Sequence, residues 1–157
     1  MIRRFFAAAA ASLALGIAAG PAHAEPATNQ ALRLVASAEG AVMFVAEQAP
    51  ARRGQTIEVW SFGAFRTLSG QPGSRMIGVW FRLRFDCDAG TVHEQEAVAL
   101  SERLSVILRS SDGREGPPAE GSPSAALQAH LCEGAPLPET RFQGVSAAAN
   151  YAQAKAI

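Results

Sequence analysis

The sequence predicts an α+β domain: an antiparallel sheet of about five to six strands, a short helix disulfide-linked to it, and a C-terminal helix. Three observations carry that prediction. From Met76 to Cys87 apolar and polar residues alternate with a period of two, as in a strand that buries one face. Strand-like runs come first and helix-like patterns last, the order of an α+β chain and not of alternating β-α-β units. Two cysteines, Cys87 and Cys132, follow an export-type leader, and an even count in an oxidising compartment reads as a disulfide. At 157 residues, with 48% hydrophobic and 18% charged, the chain suits one globular domain and excludes a disordered or collagenous one.

Residues 1–24 read as a signal peptide. Arg3-Arg4 is followed by an apolar run from Phe5 to Ala19 and by Ala22-His23-Ala24, a small-x-small cleavage signature that would leave Glu25 first. The run is shorter than the roughly 18 residues that span a bilayer, so no retained transmembrane segment is expected. No cysteine follows it to carry a lipid anchor, so the product is expected in the periplasm or secreted, as a single domain over 25–157. The 14 basic and 14 acidic residues balance, and the leader takes two of the arginines. No charge excess is left to hold a phosphate backbone, so no nucleic acid partner is expected.

Leu32–Ala36 and Val42–Ala46 are short apolar runs joined through Gly40 and predict a hairpin. Thr56–Phe62, rich in β-branched and aromatic residues, predicts the next strand, and Leu68–Ser74, full of turn formers, a loop. In Met76–Cys87 the face with Ile77, Val79, Phe81, Leu83 and Phe85 is apolar; the other carries Gly78, Trp80, Arg82, Arg84 and Asp86. A three-residue loop, Asp88–Gly90, with Gly90 left-handed, would return the chain through Thr91–Leu100. That register opposes Arg84 to Glu94 and Arg82 to Glu96. A further strand is predicted over Leu104–Arg109, and Ser110–Ser122, with its glycines and prolines, predicts an exposed loop. Ser122 as cap and Pro123 as first helical residue open a short helix ending at Cys132. After the Gly134–Pro138 linker, apolar spacing at threes and fours predicts a second helix over Val145–Ala156.

The motif Val79-Trp80-Phe81-Arg82-Leu83-Arg84-Phe85-Asp86-Cys87, the later Ser124-Ala125-Ala126-Leu127-Gln128-Ala129-His130-Leu131-Cys132 and the upstream Ile57-Glu58-Val59-Trp60 together resemble the surface-adhesin protein E family. The resemblance covers about residues 41–132. It implies a small exported bacterial domain without enzymatic activity, whose best-known relatives bind host extracellular-matrix proteins. The chain departs from the family pattern at Phe62-Gly63-Ala64-Phe65, where a polar, tyrosine-bearing segment is expected, and in having no lipoprotein cysteine.

The chemistry-bearing residues are few. Cys87 and Cys132 form the expected disulfide; with His93 and His130 they do not match structural zinc spacings, so no metal site and no cofactor is expected. A nucleophilic triad would need a Ser or Cys beside one of those two histidines, yet there is no Gly-x-Ser-x-Gly, and Ser69, Ser74, Ser110 and Ser111 sit in turn-rich stretches; His93 is read as a sheet residue beside Phe85 and His130 as a solvent-facing helix residue. Glu94 and Glu96, placed on one strand face, would be held ionised by Arg84 and Arg82 and are read as a salt-bridged ladder, not as a glycosidase pair. Trp60, Phe62, Phe65 and Phe81 read as core. Trp80, sharing its face with Arg82 and Arg84, is the candidate binding face, provided that the C-terminal helix does not cover it. The expected function is protein binding, with a host or envelope protein as partner; the alternative is a small exported hydrolase or enzyme inhibitor.

Overall fold

The computed structural model describes residues 24–155, so the leader, apart from Ala24, lies outside the described residues. The strands are β1 (Ala31–Ser37), β2 (Ala41–Ala46), β3 (Ala51–Arg53), β4 (Thr56–Ser69), β5 (Met76–Asp86), β6 (Thr91–Ser101), β7 (Val106–Ser110), β8 (Glu115–Gly116) and β9 (Arg141–Gln143). They form one antiparallel sheet in the order β7-β6-β5-β4-β2-β1-β9, with β3 beside β4 and β8 beside β6. The α+β class stands, but the sheet has nine strands and not five to six. The surplus is β3, β8 and β9, pieces of two or three residues, too short to show a period in sequence.

Helix α1 (Pro123–Gln128) starts as expected: the Ser122 hydroxyl accepts from the Ala125 amide at 3.2 Å, and Pro123 occupies the first turn. It then widens into a π-helical turn, Ala129–Glu133, and stops at Gly134, which is left-handed at φ 75°. The Cys87–Cys132 disulfide ties this turn to the end of β5. Helix α2 (Gly144–Ala154) follows β9 directly.

Over the central strands both faces of the sheet are buried, each under its own helix. On one face Leu32, Phe44, Trp60, Phe62, Trp80 and Val98 pack with Val145, Ala148, Ala149 and Ala152 of α2. The rings interlock, with Trp60 and Trp80 edge to face at 6.4 Å and Phe62 against Trp80 at 5.1 Å. On the other face Val45, Ile57, Val59, Leu83 and Phe85 pack with Leu127 and Leu131 around α1 and with Leu137. Small alanines let α2 lie close to the large rings beneath it.

The β5–β6 hairpin departs from the predicted register near its turn. The connection is a four-residue turn, Cys87–Gly90, not a three-residue loop, because the Asp86 carboxylate accepts from the Asp88 and Ala89 amides at 3.1 and 2.9 Å. Gly90 is left-handed, as expected, at φ 65°. Arg82 does oppose Glu96, but Leu83 opposes Glu94 and Arg84 opposes His93, since one extra β6 residue is accommodated at Gln95. Strand β7 begins two residues later than predicted, because Leu104 takes a left-handed turn conformation at φ 60°. The buried Ser101 hydroxyl accepts from the Arg103 and Ser105 amides and holds that turn.

Candidate functional site

The predicted binding face does not survive as a contact patch centred on a ring. Trp80 is 0% exposed, enclosed with Trp60 and Phe62 in the cluster that α2 covers. The face changes character along β5: its Gly78 and Trp80 end lies in the aromatic core, and its Arg82 and Arg84 end is half-buried. Arg82 Nε lies 3.8 Å from Glu96, an ion pair without a hydrogen bond, and Arg84 reaches Glu115 of β8 at 3.8 Å.

The expected Arg84–Glu94 pairing is therefore replaced. The bulge at Gln95 turns Glu94 to the Leu83 side of the sheet while Glu96 stays on the Arg82 side, so the two carboxylates share no face. Burial raises the Glu94 pKa above the ordinary glutamate value. His93 stands opposite Arg84, not beside Phe85 as expected. His130, expected to face solvent, is part-buried, and its Nδ1 lies 2.6 Å from the Ala135 carbonyl oxygen. That ring nitrogen must donate, which fixes His130 as a brace of the π-helical turn. Cys87 and Cys132 are joined, with Cα atoms 5.5 Å apart, so neither offers a thiol. The sites weighed for acid–base and nucleophilic work are thus not brought together among the described residues.

What the fold does expose is the β7 edge. Val106, Ile107 and Leu108 are 44%, 43% and 60% exposed, and among the described residues they are the large hydrophobic side chains left open to solvent. Among the described residues β7 is hydrogen-bonded to β6 and to no other strand, whereas the opposite edge of the long sheet ends in the three-residue β9. The single charged residue of β7, Arg109, is held by Glu25 at 2.7 Å and by Glu96 at 3.3 Å. Its pKa is raised, first through the bond to Glu25. The charge that would guard this edge is thereby drawn into a local ion-pair network.

Sequence reasoning found β7 as a strand but did not assign its exposure, because three aliphatic residues in succession show no alternation from which to choose a face. The usable signal was its position, the last strand-like run before the sheet pattern stops. No family model matches the chain, and no curated protein and no solved structure matches it either.

Proposed function

We propose that this chain is an exported, non-enzymatic bacterial domain, periplasmic or secreted, that binds another protein by taking one of that protein's strands onto the β7 edge. The observation that carries the reading is the exposed Val106-Ile107-Leu108 run on an edge strand. Strand addition draws affinity from main-chain hydrogen bonds and selectivity from alternate side chains, and β7 offers both. Soluble proteins ordinarily blunt such an edge with charge, proline or a covering segment. The leader-like residues 1–24 and the disulfide support a site of action outside the cytoplasm, and the adhesin-family resemblance supports a partner of host or envelope origin.

The test places a photo-crosslinking residue at position 107 and compares capture from envelope and host-matrix extracts with capture by a Val106→Lys/Leu108→Lys variant. The first should label a defined partner. The variant should lose it while keeping its unfolding midpoint, since exposed substitutions ordinarily shift stability by about 0.5 kcal/mol or less. Capture indifferent to the lysines, labelling confined to a second copy of the chain, or turnover of an ester, peptide or glycan substrate would each overturn the reading.

A further inference from the structure

A second feature lies away from β7, where the ends of β1, β2 and β4 meet the π-helical turn. A cavity of about 390 Å³ opens there, within the range of small-molecule sites. Its floor is apolar, made by the buried Val45, Val59, Leu131 and Leu137. Its rim is polar and rich in donors. Arg33 gives two of its N–H groups to the Leu137 and Pro138 carbonyls at 2.9 Å each, which anchors the guanidinium at the mouth. Arg52 touches the Leu131 carbonyl at 3.3 Å and is otherwise exposed. Gln48 also lines the cavity, although its side-chain nitrogen is itself shielded from solvent.

The charge count at this rim is unbalanced. Glu47 also lines the cavity, but its carboxylate is paired with Arg141 at 2.6 Å. Among the described residues the Arg33 and Arg52 guanidinium groups bond carbonyl oxygens, which leaves two positive charges at the rim without a paired carboxylate. An apolar floor under such a rim fits a ligand with an apolar body and one anionic head. Guanidinium groups favour a carboxylate in particular, through paired N–H donors.

From this juxtaposition we propose that the cavity binds a small amphiphilic monocarboxylate, with its hydrocarbon on Val45, Val59, Leu131 and Leu137 and its carboxylate at Arg33 and Arg52. The site is independent of the β7 edge, so either reading can fail without the other.

Octanoate, titrated below its micellar concentration into the disulfide-bonded protein, is the probe, followed by amide chemical shifts and calorimetry. Octanol supplies the tail without the charge, and acetate the charge without the tail. Octanoate should shift the amides of Val45, Gln48 and Leu137 saturably, and neither control should do so at the same concentration. Arg52→Gln should weaken octanoate about tenfold, whereas Arg53→Gln, the exposed neighbour that does not line the cavity, should leave it unchanged. Ala49→Trp, which fills the mouth from an exposed position, should abolish binding; should that variant misfold, the Arg52 and Arg53 pair still decides. Equal shifts with octanol would overturn the carboxylate assignment. Equal losses in Arg52→Gln and Arg53→Gln would reduce the effect to diffuse attraction, and no saturable shift would remove the site.

Discussion

Gly78 marks the tightest point of the aromatic core. A Cβ there would lie 2.5 Å from the Phe62 ring and 2.5 Å from the Gly63 carbonyl oxygen. Gly78→Ala should therefore cost about 1–3 kcal/mol, as overpacking does, and lower the urea midpoint without changing the slope. An unmoved midpoint would mean that Phe62 and β4 yield freely. Glu94 gives a second residue-scale prediction. Its folded-state pKa is raised by burial, so the folded protein binds this proton more tightly than the unfolded chain does. The glutamate's unfavourable contribution therefore appears as pH rises through the ordinary carboxylate range towards the raised value, and is relieved in acid. Glu94→Gln should raise the melting temperature at pH 7 and lose that advantage near pH 3; a gain that persists in acid would point to packing instead. Residue identity alone misplaced Trp80, because a ring beside arginines in sequence is separated from them in space by the margin of a helix that lies nearly seventy residues further on.

Among the elements, the π-helical turn and β5 are held together by a covalent bond whose ends are 45 residues apart. Closing a loop of that length contributes at most about 4 kcal/mol on the chain-entropy model, so the double Cys→Ala variant should lose about 2–4 kcal/mol. Hydrogen exchange should find the loss concentrated around Leu127 and Leu131, which the bridge pins over Leu83 and Phe85. Uniform loss across the sheet would contradict that picture. The bridge was legible from an even count of two cysteines behind a leader-like stretch of sequence. Strand β5 was legible too, because its alternation runs through eleven residues, whereas β4 was read only from Thr56 to Phe62, half its length. Two- and three-residue strands exist only because a longer neighbour supplies their partners, so nothing local announces them. The Gln95 bulge was hidden for a similar reason: the Asp86 turn and the Arg82–Glu96 pair demand registers one residue apart, and a single sequence does not show how the mismatch is absorbed. The β7 edge and the cavity beside the π-helical turn belong to this scale as well, since each is made by how elements are placed and not by one run of sequence.

At the scale of the whole molecule, one sheet serves two cores, and the two are closed by different devices. Cys132 fastens the α1 side, while the α2 side is held by aromatic packing and by β9 alongside β1. The candidate sites followed the gaps in this cover, which no local pattern records. Position along the chain adds a temporal consequence. β9 and α2 are translated after every other strand, yet they complete the β1 edge and roof the two tryptophans. Until the ribosome has released them, the nascent chain carries a bare edge and an uncovered patch of large rings. Before completion the chain therefore exposes the unpaired edge and apolar surface that make partly folded chains prone to associate.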